Sequence, residues 1–399
     1  MNELWRAAVL ACLASLIGCG GSSSTDISTK PTTPVTPPTP TGPVTTSAKA
    51  KFVYTGNQGA NGNGSLSGYA VNPSTGALTG LNGFPLLFGS NPTAVTHDAQ
   101  NRFLIVADTA QDLLTVFGID NNTGALSQLG QTSTVREPSA VVVDPSGTHV
   151  YAVGMDSNAI GAFSLSASGA LTAITGQPFE TGGTQLFGES LLINASGTLL
   201  YSQDTSSIYV FRITAGTGAL TLAQTLAIKN QGVGNELALD PSGNYFYLAN
   251  AYARTINTYA VDASTGLLSP VQTSPTAFGS PFSIAVSPTG QFAYTIEDSG
   301  TGANLLAAYS LVAYSLQKGT FTTVGIIHNI VGMQLTVDPS GGFVYAPQTC
   351  SQPCTPLAGL APVNVVHEFS VGANGALTEL SGSPVAAGLT PWGITVTSQ

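Results

Sequence analysis

The 399-residue chain carries 10 Lys and Arg against 20 Asp and Glu, and charged residues make up 8% of it, against about 25% in typical soluble domains. So acidic and charge-poor a chain excludes broad electrostatic binding of nucleic acid or of an anionic membrane face, because both need clustered cations. Its 46 Gly, with abundant Ser, Thr, Ala and Val, leave few helix formers and many turn and strand residues, which points to an all-β fold.

Residues 1–18 read as a signal peptide. Arg6 supplies one positive charge, and Ala7 to Ile17 is an apolar run too short to remain as a spanning helix. Leu16-Ile17-Gly18-Cys19 resembles a bacterial lipoprotein box, which implies a lipidated Cys19 as the new N-terminus. No Asp follows it, which by the same resemblance leans to the outer membrane. Residues 19–48 open with Gly20-Gly21-Ser22-Ser23-Ser24 and turn Pro-rich, so they read as a tether that is first flexible and then extended. The expected location is exported and lipid-anchored, at the outer membrane or periplasmic face. Cys350 and Cys354 remain beyond this region. In an oxidising compartment they read as a loop disulfide. A metal pair is the rival reading, though no second ligand pair accompanies it.

From residue 49 to 399 the chain repeats with a period of roughly 46 to 51 residues, as propeller blades do. An apolar first strand runs into a turn such as Asp144-Pro145-Ser146-Gly147, repeated at Asp240-Pro241-Ser242-Gly243 and Asp338-Pro339-Ser340-Gly341. Asp accepts from the backbone ahead, Pro presets φ, and Gly takes the left-handed position. A second strand with an aromatic follows: Phe52-Val53-Tyr54, His149-Val150-Tyr151 and Phe343-Val344-Tyr345 are examples. A third strand then leads through turns such as Asn122-Thr123-Gly124-Ala125 into a fourth. The domain begins on a second strand and ends on a first strand, Pro391–Thr397. The C-terminal strand must therefore complete the N-terminal blade. The expectation is a seven-bladed β-propeller of four-stranded blades, with the second-strand aromatics packing between blades.

The repeat unit, Pro-x-x-hydrophobic-x-hydrophobic-Asp-Pro-Ser-Gly before an aromatic strand, resembles the lactonase-type propellers, including 6-phosphogluconolactonase-like proteins, over residues 51–399. That resemblance implies lactone-ring hydrolysis at polar groups around the central opening. It also implies histidines just after the Pro that opens a first strand. Thr93, Ser139, Glu189, Asn235, Phe282, Met333 and Trp392 occupy those slots here.

Variable loops lie where first strands begin, and binding sites favour such loops. Glu189 and Glu236 start innermost strands, so they are candidates for acid–base work or for holding a hard cation such as calcium or magnesium. Hydration of a polar channel mouth is the plainer reading. His328 is the histidine expected on this face. Arg136, Glu137 and Arg254 are candidate binding residues for an acidic ligand, or partners of neighbouring charges. Trp392 is a candidate stacking surface or a channel plug. No nucleophile elbow, phosphate loop, dinucleotide fingerprint or metal-spaced histidine pair occurs, so no cofactor is indicated. These residues favour a monomeric envelope binding or scaffold module, touching the membrane through its lipid and presenting its loop face to a protein, glycan or small molecule. The alternative is a lactone hydrolase acting on an unphosphorylated substrate, since a phosphorylated one demands a cationic pocket.

Overall fold

The Asp-Pro-Ser-Gly turns form as their residues dictate. Asp144 accepts backbone hydrogen bonds from Thr148 (2.8 Å) and His149 (2.7 Å) through Oδ1, and Gly147 N–H closes the turn onto the Asp144 carbonyl at 2.9 Å with φ 69°. This links strand Pro138–Val143 to strand His149–Gly154 as an antiparallel pair. The computed structural model describes residues 48–59, 62–155, 157–183, 190–228, 236–298, 309–349 and 364–399.

Seven antiparallel sheets result, each running from first to fourth strand in order. Blades 2 to 7 start at Pro92–His97, Pro138–Val143, Leu191–Ile193, Glu236–Leu239, Ser280–Val286 and Thr336–Val337. Blade 1 takes its second to fourth strands from Ala50–Asn57, Ser65–Val71 and Leu78–Gly80, and its first strand is the C-terminal Pro391–Ser398. First strands touch in the order of the blades, and Pro391–Ser398 touches the first strands of both blade 7 and blade 2. The ring is closed, and the first strands are innermost.

The core follows from the strand period. Alternate side chains leave opposite faces of each sheet, so every blade packs against two neighbours. Seven separate apolar clusters result, one at each junction. Phe52 and Tyr54 pack with Leu104 and Val106 between blades 1 and 2, while Val53 packs with Tyr345 and Val366 between blades 7 and 1. Second-strand tyrosines add a hydrogen bond across the junction. Tyr54, Tyr151 and Tyr345 donate to the carbonyls of Gly124, Gly218 and Gly76, each at 2.8 Å. The last of these joins blade 7 to blade 1.

Two details depart from the expected pattern. In blades 1, 3 and 7 the fourth strand is two short pieces, and the peptide bonds before Pro85, Pro178 and Pro384 between them are cis. Proline lacks the N–H a continuous ladder needs. Several first strands are also shorter than their apolar runs, most clearly Thr336–Val337.

Candidate functional site

Second strands end where first strands begin, and that face gathers polar side chains. Among the described residues, two titratable groups lie on the innermost strands: Glu236 at this mouth and His97 at the opposite end. Half-buried Glu236 accepts a 2.9 Å hydrogen bond through Oε2 from the backbone N–H of Ile284, on the first strand of the next blade. It therefore ties two blades while holding a carboxylate at the mouth. His97 Nδ1 lies 2.8 Å from Thr395 Oγ1 on the closing strand, and burial pushes its pKa below the ordinary 6.5, which keeps the ring neutral at pH 7.

The structure separates the other candidates. His328 is exposed at the end of the outermost strand of blade 6, with Nδ1 2.9 Å from Ser310 Oγ and its ring 5.5 Å from that of Phe278. It lies on the expected face, but three strand spacings, about 14 Å, part it from the innermost strand of its own blade, so it stands at the outer edge of the ring and not at the central opening with Glu236. Trp392 is half-buried at the second position of the closing strand. Arg136 is exposed, and its carbonyl passes so close to Gly154 that a Cβ there would collide with it. Glu137 is half-buried with φ 49°, and its N–H donates to Asp112 Oδ1 at 2.7 Å. Arg254 is exposed with φ 55°, and among the described residues it forms no ion pair. Glu189, Cys19, Cys350 and Cys354 lie outside the described residues, as does Asn235.

Beneath the mouth runs a set of buried acceptors that composition and spacing do not reveal. Asp108 accepts from the backbone N–H groups of Ser90 (2.6 Å), Asn91 (3.1 Å) and Ala110 (3.1 Å). Glu297, with no exposed surface, accepts from Phe278 N–H (2.7 Å) and Gly279 N–H (3.1 Å) through Oε2, and from Thr295 and Tyr314 hydroxyls through Oε1. Asp204 accepts from Ser206 and Ser207 N–H, both at 2.7 Å, and from Tyr209 OH at 2.7 Å; burial first, then Asp204, pushes that phenol up to about 12. Each of these carboxylates satisfies loop donors that would otherwise be orphaned. They position the loops of the mouth. Among the described residues no three His, Cys, Asp or Glu converge as a metal site.

A closed ring of seven four-stranded blades, with polar loops gathered at one mouth of the central opening, defines a seven-bladed β-propeller. The family described as "Lactonase, 7-bladed beta-propeller" matches residues 21–143 and 142–283. The chain belongs to that family. It is similar to a 6-phosphogluconolactonase of Serratia proteamaculans, 32% identical over 96 residues, a stretch covering 24% of this chain and 29% of that protein. Among solved structures, it is similar to a candidate 6-phosphogluconolactonase of Bacteroides uniformis, at TM-score 0.73 and 17% identity over 87% of this chain and 99% of that one. A periplasmic gluconolactonase of Pseudomonas aeruginosa is similar at TM-score 0.67 and 17% identity, over 87% and 98% of the two chains. At such identities the structural likeness speaks to the fold. The family itself weighs toward the hydrolase alternative and gives the scaffold reading no support.

Proposed function

We propose that this propeller hydrolyses a sugar lactone at the mouth of its central opening, with the Glu236 carboxylate as general base. The observation that carries this reading, beside family membership, is the placement of Glu236. Among the described residues it is the acid on an innermost strand, fixed by the Ile284 N–H. In the reaction, Glu236 takes a proton from water as the water oxygen bonds to the lactone carbonyl carbon. Collapse of the tetrahedral adduct breaks the ring ester C–O bond, and the proton passes to the departing ring oxygen, leaving a hydroxy acid. The chain's ten basic residues favour an unphosphorylated lactone, since a phosphate dianion needs a denser cationic pocket.

Proton release from a panel of aldonolactones by the full chain tests this. Glu236→Gln keeps an oxygen for the Ile284 N–H but cannot accept the proton, so kcat should fall about 10²- to 10⁴-fold while thermal melting changes little. Undiminished turnover in the variant, or no turnover of any lactone by the native chain, overturns the proposal.

A further inference from the structure

The loop between the second and third strands of blade 5 repeats a device seen elsewhere in the ring, with one substitution. In blades 2, 3, 5 and 7 the residue just before the third strand has positive φ: Asp112 (56°), Asn158 (45°), Arg254 (55°) and Asn364 (61°). Its carbonyl accepts the N–H of a residue following the outer strand, from Thr134, Thr181, Thr276 and Ala387 respectively. In blades 2 and 7 its side chain also accepts the N–H of the residue that precedes the next first strand. Asp112 holds Glu137 at 2.7 Å, and Asn364 holds Thr390 at 2.8 Å. Asp and Asn suit this slot because their short side chains accept locally and tolerate the left-handed region.

Arg254 takes up the same left-handed backbone but cannot accept, because its guanidinium only donates. In blade 5 the bracing task has moved: the corresponding N–H, that of Gly279, is held by Glu297 of the next blade at 3.1 Å. The loop stays fixed without help from the Arg254 side chain. Buried Asn250 accepts the Ala253 N–H at 3.0 Å, and Thr276 donates to the Arg254 carbonyl through N (3.1 Å) and Oγ1 (3.0 Å). This braced loop presents an exposed cation and, two residues before it, Tyr252 with 54% of its surface exposed. Glu236 opens the first strand of the same blade, two strand spacings or about 10 Å from the third.

We infer that Tyr252 and Arg254 form a specificity subsite for a carboxylate at the far end of the substrate, so that the preferred substrate is the lactone of a sugar diacid. This rests on the hydrolase reading for its second half only. The guanidinium fork matches a carboxylate bidentately, and the tyrosine ring offers a face to sugar C–H groups. A six-carbon diacid chain and an arginine side chain together bridge the distance to the Glu236 strand. Tyr252 and Arg254 are thus positioned to bind and orient, and Glu236 to react.

The test compares the full chain with Arg254→Gln and Arg254→Lys, using glucarate for equilibrium binding and glucarolactone, gluconolactone and 6-phosphogluconolactone for turnover. Glucarate affinity should fall at least tenfold in Arg254→Gln and recover in part in Arg254→Lys. The kcat/KM ratio of glucarolactone to gluconolactone should collapse by a similar factor, through KM. Equal glucarate binding in all three proteins overturns the subsite, even if lactones are hydrolysed. Arg254-dependent binding of glucarate without any lactone turnover upholds the subsite and overturns the hydrolase reading instead. A preference for 6-phosphogluconolactone that Arg254→Gln abolishes overturns the assignment to a carboxylate.

Discussion

One hydroxyl separates two otherwise equivalent tyrosines. Tyr345 and Tyr294 are both fully buried third residues of the visible second-strand segments Phe343-Val344-Tyr345 and Phe292-Ala293-Tyr294. Tyr345 donates to the Gly76 carbonyl of the neighbouring blade, whereas Tyr294 OH is buried with no partner among the described residues. Removing a satisfied hydroxyl strands its acceptor, while removing an orphaned one relieves a desolvation cost. Tyr345→Phe should therefore cost about 1 kcal/mol, and Tyr294→Phe should be neutral or stabilising, as read from denaturant midpoints. Equal destabilisation by both would mean that the rings alone matter. Glu368 shows the same asymmetry within one side chain. Oε1 accepts the Leu78 N–H of blade 1 at 2.5 Å, while Oε2 is buried without a partner among the described residues, and burial pushes the pKa of Glu368 above the ordinary 4.5.

At the scale of the strand, the closing element shows how an irregularity is absorbed. The register between Ala50–Asn57 and Pro391–Ser398 slips between Ala50 and Val53, leaving Phe52 outside the ladder. Buried Thr397 repairs this, since its Oγ1 accepts Phe52 N–H at 3.0 Å and donates to the Phe52 carbonyl at 3.3 Å. Thr397→Val keeps the shape and orphans both backbone groups, so it should lower stability by about 2 to 3 kcal/mol in chemical denaturation; a loss within error would refute the repair. None of this was readable from the sequence, although the strands were. Period-two alternation and the Asp-Pro-Ser-Gly turns are local signals, carried within a few residues of what they specify. The bulge, by contrast, depends on a partner 345 positions away. Asp108 likewise holds Ser90 and Asn91, 18 and 17 positions back, so it reads in sequence as an ordinary strand-end acid. The candidate site was legible as far as Glu236 on an innermost strand. Its separation from His328 was not, because both lie on the same face and only the strand order within a blade sets their radial distance. Tyr252 could have been found by setting Asn250–Arg254 beside Asp108–Asp112, where the turn-forming Asp112 gives way to arginine.

Among the described residues the ring has no single core, only seven junctions that each need both neighbours. Such a ring behaves as a cyclic chain of nearest-neighbour contacts, in which opening one blade exposes two junctions at once. Strand Pro391–Ser398 sits at that point, touching blades 7 and 2 while pairing with Ala50–Asn57. Deleting residues 389–399 therefore bares an edge strand and two apolar clusters, and it should abolish cooperative melting and promote aggregation. A second variant tells closure apart from mere loss of sequence. The described ends already meet, with Gln399 N–H donating to the Lys49 carbonyl at 2.7 Å. A permutant that joins Gln399 to Lys49 and opens between Ser242 and Gly243, in an exposed turn, keeps every junction and swaps a non-covalent seam for a covalent one. It should melt cooperatively within a few degrees of the parent domain while the truncation does not. If both variants melt like the parent, the closing strand is dispensable and ring closure does not hold the fold together. If both fail, the turn at Ser242 contributes more than the seam does.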